Sequence, residues 1–339
     1  FLALLFAPPT GWVLRTQLRM LASTLPEKAL VLLLGTEPEK VWLSKEEAEN
    51  IKTLAEERLR QVAERYPDDE RIQVASVVVM ETRETVPDRL RNLLHRFPNS
   101  PLLHAAILRY DCFDRIRINR KEGYLFRESP IPSKLPRPDP QHLAAFEKVA
   151  ARGEQIDPDN AFFPMMRAIA LFATYRDGEA LQALMRASRK PRWDDYGLDE
   201  FESVKGLWER AFEKPNGFTK TCLSAWPINP HYALMRELAW VATYKAMELE
   251  RKGRLNEGLE IRLALMRCGR LMREQEKTTL SRMVGIAIVN TTVSRPKGEP
   301  LPPSGEGRSK QIQERFVNYL RQIGQAETCL LYTSDAADE

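Results

Sequence analysis

The run Lys190-Pro191-Arg192-Trp193-Asp194-Asp195-Tyr196 holds the densest set of chemically capable side chains in the sequence. Two carboxylates between an indole and a phenol could serve acid–base work in an enclosed site. Arg176, in a turn just upstream, could add a positive charge. Together Arg176, Trp193, Asp194, Asp195 and Tyr196 outline a small-ligand or enzyme-associated site. Adjacent side chains point apart on most backbones, however. The plainer role for Asp194 and Asp195 is to cap the helix expected over Glu200–Lys214.

A second kind of chemistry is electrostatic. Arg186, Arg189, Lys190 and Arg192 form the densest helical cluster of cations, and Arg115, Arg117, Arg120 and Lys121 the densest loop cluster. Trp193 beside the first could stack a nucleobase. Against this stand Glu179, Asp194, Asp195 and Glu200 nearby, and the general preference for basic residues at helix C-termini. The whole chain carries 51 basic and 47 acidic residues, a formal charge of +4. Such a balance gives no argument for nucleic acid unless the positive charge gathers on one face.

Other chemistries find little support. His95, His104, His142 and His231 follow no metal-ligand spacing, and Cys112, Cys222, Cys268 and Cys329 form no CxxC pair. Buried free thiols and satisfied or surface histidines are the expectation. No phosphate loop, nucleophile elbow or dinucleotide fingerprint occurs, so no catalytic residue, cofactor or metal is assigned.

The elements that position these residues read as helices. Ser44-Lys45-Glu46-Glu47 is a capping box, and Ile51, Leu54, Ala55, Leu59, Val62, Ala63 and Tyr66 follow it at helical spacing. Leu90, Leu93, Leu94 and Phe97 form another stripe, and Leu102–Tyr110 a third apolar-faced helix. The segment with Val77-Val78-Val79 is compatible with strand or helix, and its place after a turn favours helix. A stop device recurs at Tyr66-Pro67-Asp68, Phe97-Pro98-Asn99 and Ile156-Asp157-Pro158-Asp159: an apolar residue, a proline that forbids continuation, then a capping side chain. Tyr232–Leu249 and Leu259–Met272 flank a turn at Gly253. Gly285 and Ala287 predict close helix packing after Leu280.

Asp157–Pro191 reads as two antiparallel helices joined at Arg176-Asp177-Gly178, with small residues at Ala168, Ala180 and Ala187. This order of small residues resembles the tetratricopeptide-like repeat hairpin. Pro164, Arg167 and Tyr175 depart from the family pattern, Pro164 and Tyr175 standing at its aromatic and glycine places. The resemblance implies an all-α fold, an α-α superhelix of antiparallel helix pairs. It also implies a protein or peptide partner held on a repeat surface, a scaffold rather than an enzyme.

Five segments follow from this reading. Residues 1–42 form an N-terminal part whose apolar run Phe1–Ala7 fits either the remnant of a signal or membrane anchor or a buried segment. Residues 43–293 form the repeat domain, with a proline-rich insertion at 111–142 expected as a surface loop. Residues 294–310 read as a flexible linker, and 311–328 as an amphipathic helix bearing Ile312, Phe316, Leu320 and Ile323. Residues 329–339 resemble the translation of a sequencing adapter seen at the ends of metagenomic genes. Cytoplasmic and membrane-anchored bacterial locations both fit. The function expected is an interaction or assembly scaffold; the small-ligand site near Trp193–Tyr196 and weak nucleic-acid binding are the alternatives.

Overall fold

The computed structural model describes residues 45–113, 115–126, 131–132, 135, 138–212, 230–275 and 278–293. The expectations for residues 1–42, 294–310, 311–328 and 329–339, and for Cys222 and Cys329, lie outside them. Among the described residues every regular element is a helix. The stretch expected as one domain divides into two compact units, the first holding residues up to Pro98 together with Gly197–Ile228, the second the remainder.

In the first unit α1 (Lys45–Arg65), α2 (Glu70–Met80) and α3 (Val86–Leu93) are joined by α9 (Gly197–Ala211), which packs on α1 and α2. The valine-rich α2 is helical. Asp69 caps it by accepting a hydrogen bond from the Ile72 amide at 3.2 Å, and Ile72, Val74, Ala75 and Val78 are buried. Helix α9 buries Glu200, Ser203, Val204 and Leu207. Asp199 pairs with Arg71 at 2.7 Å, and the Trp208 and Phe212 rings stack at 4.9 Å.

The second unit contains α4 (Pro101–Asp111), α5 (Lys121–Tyr124), α6 (Pro140–Ile156), α7 (Phe162–Ala173), α8 (Asp177–Ala187), α10 (His231–Arg251), α11 (Leu255–Gln275) and α12 (Thr279–Thr291). Ser100 caps α4 through the Leu103 amide at 2.9 Å. Helix α7 is apolar almost all round, which suits a helix enclosed on every side. Every residue of it except Arg167 is buried. Pro164 falls in its first turn, where the missing N–H has no intrahelical partner to lose.

Helix α7 packs against α6, α8 and α10; α8 packs against α11, α10 against α11, and α12 against both. Two hairpins, α7–α8 and α10–α11, thus lie like on like. Both turn in the same way. The Arg176 amide bonds to the Leu171 carbonyl at 2.9 Å and the Tyr175 amide to that of Phe172 at 3.1 Å. Arg254 and Gly253 repeat this with Leu249 at 2.9 Å and Glu250 at 3.0 Å. Each is a Schellman ending with one left-handed residue, Tyr175 at φ 61° or Gly253 at φ 82°. Ala168, Ala180 and Ala187 are all wholly buried in the first hairpin.

Small residues set several helix contacts. A Cβ on Gly153 of α6 would stand 2.2 Å from the Phe163 ring. One on Gly285 of α12 would stand 2.6 Å from the Gly269 carbonyl oxygen of α11 and 2.7 Å from the Arg273 amide nitrogen. Close packing at Gly285 follows the sequence expectation, whereas Ala287 is only half-buried.

The start of the expected insertion loop is part of the packed interior. Ile116, Ile118 and Arg120 are all buried, and Asn119 between the last two takes the left-handed backbone at φ 44°. Arg120 donates to Asp177 and Glu122, while Lys245 reaches Asp177 at 3.1 Å and Glu122 at 3.5 Å. Two cations thus share two carboxylates where α5, α8 and α10 meet.

Candidate functional site

The most polar buried region lies in the second unit, where residues 157–161, 191–196, the start of α10 and the end of α11 converge. Asn160, wholly buried, uses both ends of its amide. Its nitrogen donates to Asp157 at 2.9 Å and to the Asp194 carbonyl at 2.8 Å. Its oxygen accepts from the amides of Phe162 at 3.1 Å and Asp194 at 3.0 Å. It is therefore Asn160, rather than Asp159, that tethers the start of α7. A backbone bridge between Asn160 and Arg192 joins the two loops, and Gln275 clamps the second by accepting from the Trp193 amide and donating to the Pro191 carbonyl.

Around this amide lies a charged knot. Arg192 binds both oxygens of Asp157 at 2.6 Å, and the Tyr196 hydroxyl donates to Asp157 at 2.7 Å. Burial pushes the Asp157 carboxyl upward, but the bonds from Tyr196, Asn160 and Arg192 prevail and hold its pKa below the usual aspartate value. Tyr196, raised chiefly by burial, keeps its proton. Tyr196 also stands in the left-handed region at φ 60°. This φ is uncommon for a bulky residue and is held by the Asp194 carboxylate, which accepts the Tyr196 amide at 2.8 Å.

Asp195 turns the other way. It is buried and accepts from His231 Nε2 at 3.0 Å and from the Tyr232 hydroxyl at 2.9 Å. A carboxylate orienting an imidazole is a familiar acid–base device. Here His231 is 0% exposed, and its ring packs edge-on to Phe162 at 5.9 Å. Burial lowers its pKa against the opposing pull of Asp195, so the ring is held neutral. In this setting the pair ties the first residue of α10 to the 191–196 loop.

Placement of the sequence candidates is now plain. Asp194 and Asp195 diverge as their adjacency suggests: Asp194 accepts the Tyr196 amide and Asp195 faces α10. Trp193 is 2% exposed and packs edge-on to Phe162 at 5.9 Å, so its face is not open to a base or ligand. Arg176 precedes α8 whereas Trp193–Tyr196 follow it, with a helix of about 16 Å between them. The five residues do not form one site.

The arginine cluster is equally committed. Arg176 pairs with Glu147 at 2.6 Å, Arg186 with Glu154 at 3.1 Å and Arg192 with Asp157, while Arg189 is exposed. In the loop cluster Arg115 lies 3.9 Å from Asp111, Arg117 donates to the Phe113 carbonyl and Arg120 is buried. Arg117, Lys121 and Arg189 are exposed, while Arg115, Arg186, Lys190 and Arg192 are paired and Arg120 is buried.

The sequence matches no protein-family model, and comparison with curated proteins and with solved structures gives no match.

Among the described residues no three His, Cys, Asp or Glu side chains are grouped to hold a metal ion, and no helix is long and apolar enough to cross a membrane. Cys112 and Cys268 are free and buried. Burial pushes the Cys268 thiol up to about 12, away from reactive thiolate chemistry. His104 is buried too, its Nδ1 2.7 Å from the Ser100 carbonyl. Sequence reasoning missed the joining of Asp195 to His231 and Tyr232. The only available signal was His231-Tyr232 directly after Pro230, at the start of an apolar-faced helix.

Proposed function

We propose that the chain is a helical-repeat scaffold of tetratricopeptide-like type, whose work is to hold a protein or peptide partner. The observation carrying this reading is the pair of hairpins α7–α8 and α10–α11, which share a Schellman turn and pack α7 on α10 and α8 on α11. Repeating helix pairs bury a continuous core by stacking and leave a broad surface whose side chains are not needed for folding. The polar region around Asp157, Asn160 and Asp195 supports the same reading, because these three side chains are bonded to neighbours within it, although His231 Nδ1 lacks a hydrogen-bond partner among the described residues. Its depth suits a structural joint between hairpins better than a reaction centre.

The test is affinity capture on the full chain after nuclease treatment, beside an Arg189→Glu variant. Arg189 is chosen because reversing Arg186 or Arg192 would break ion pairs within the protein. A discrete protein partner at stoichiometric yield supports the scaffold, and its loss in the variant assigns the contact to the turn that follows α8. Recovery of nucleic acid alone from untreated lysate, with no nuclease-resistant protein, overturns the reading.

A further inference from the structure

Helix α12 carries two apolar faces. Ser281, Val284, Gly285, Ile288 and Thr291 face inward and are buried. On the other side Leu280 is 52% exposed, Met283 61%, Ile286 44% and Val293, just past the helix end, 48%. At 100° per residue these four span an arc of about 140°. Thr279 and Asn290 lie within the same arc, but three large apolar side chains exposed on one helix are more than a surface helix needs.

We infer that the outer face of α12 is the docking site of the chain's own segment 311–323. Three features single out this occupant. In sequence, Ile312, Phe316, Leu320 and Ile323 recur at three and four residues, an apolar stripe bordered by Gln313, Glu314, Arg315, Asn318 and Arg321 and stopped at Gly324. The stretch has thirteen residues, as does α12, so a helix there matches the face end to end at about 20 Å. Finally, the connecting residues 294–310 are rich in proline and glycine. A flexible chain of that length has a root-mean-square span of about 21–25 Å, against the roughly 8–10 Å that separates packed helices. The segment therefore reaches the face in either orientation, at an effective concentration in the millimolar range. At micromolar protein that tether favours the chain's own segment over a second copy. The inference rests on α12 and does not depend on the repeat reading.

The experiment uses the full chain with Cys222 and Cys329 replaced by serine. Met283→Cys and Phe316→Cys are combined and treated with a short bismaleimide, while Cys112 and Cys268 stay protected by burial. The expected product is an internal link whose yield is constant over a tenfold range of protein concentration. It should exceed by at least fivefold that of a control pair, Met283→Cys with Asn318→Cys, on the polar side of the stripe. A covalent dimer that grows with concentration assigns the face to a second copy and overturns the inference; so does a yield equal to the control. Independently, Phe316→Asp with Leu320→Asp should speed amide exchange over Leu280–Val293 at least tenfold and leave α7 unchanged. Unaltered exchange in α12 is incompatible with docking, even if the cysteine variants fold poorly.

Discussion

Tyr175 stands in the α7–α8 turn where Gly253 stands in the α10–α11 turn: each is the left-handed residue that ends the first helix of its hairpin. Glycine takes this conformation without steric cost, and a residue with a Cβ does so at roughly 1–2 kcal/mol. At Tyr175 the cost is partly returned by the Arg120 guanidinium, which lies 4.6 Å from the centre of its ring. Such a contact contributes about 0.5–1 kcal/mol at an exposed position.

The two turns should therefore answer differently to substitution. Gly253→Ala introduces the left-handed penalty with nothing to offset it and should destabilise by about 1–2 kcal/mol. Tyr175→Ala keeps the penalty and loses the ring, for a loss of about 1 kcal/mol. Tyr175→Gly loses the ring but relieves the backbone, and should stay within about 0.5 kcal/mol of the parent protein. Urea unfolding of the three variants gives the ranking. If Tyr175→Gly proves as damaging as Tyr175→Ala, backbone strain is not the quantity that matters at this turn.

The contacts at Gly153 and Gly285 lead to a second expectation. A methyl on Gly153 meets an aromatic ring that can shift slightly, whereas one on Gly285 meets the backbone of α11 from both sides. Gly153→Ala should cost about 1–3 kcal/mol by overpacking. Gly285→Ala should cost at least as much, because the only relief is to move α12 away from α11. Thermal melting compares the two, and a Gly285→Ala protein as stable as the parent would rule out the close approach.

Stability should fall in two steps as the solution is acidified. In the unfolded chain His231 and His104 take up protons near their ordinary value of 6.5, while in the folded chain burial keeps both below it. Below pH 6.5 the unfolded state thus binds more protons, and stability present above that pH is progressively lost. His231 faces Asp195, Tyr232 and the charge of Arg109; the first favours its protonation and the last opposes it. Asp157, depressed from its ordinary 3.8, adds a second loss as pH falls below about 4. Urea midpoints measured from pH 7.5 to about 2.5 should show both steps. His231→Gln should shrink the first and Asp157→Asn the second; a flat profile between pH 7 and 5 contradicts the buried-histidine account.

Much of the local architecture was legible because it depends on residues close in sequence. The turn at Gly253 and the small faces at Ala168, Ala180 and Ala187 are set by short-range backbone and packing rules; the joint expected at Arg176-Asp177-Gly178 falls instead at Thr174–Arg176, because Tyr175 takes the left-handed place and Asp177-Gly178 already open α8. The candidate site was not legible in the same way. Asp195 was visible as one of two adjacent acids, but its meaning lies in His231 and Tyr232, which only the stacking of α10 brings to it. Trp193 reads as a stacking platform until Phe162 covers it. The alternation Ile116, Ile118, Arg120 was a period-two signal of burial, although the backbone turns at Asn119. It was obscured by the prolines that follow and by the apparent basic character of the same stretch.

Glu147, Glu154 and Asp157 run along one side of α6 and just past its end, and with Glu179 and Asp194 they are paired by Arg167, Arg176, Arg186, Lys190 and Arg192, five acids to five bases. To a molecule approaching from solution this row is a set of dipoles rather than a line of charge, and the reach of a dipole fades faster. Beyond a Debye length, about 8 Å in physiological salt, that side of the protein is electrically quiet. A partner arriving there comes by unsteered diffusion, at rates of about 10^5–10^6 per molar per second, and is kept by shape and short-range contact.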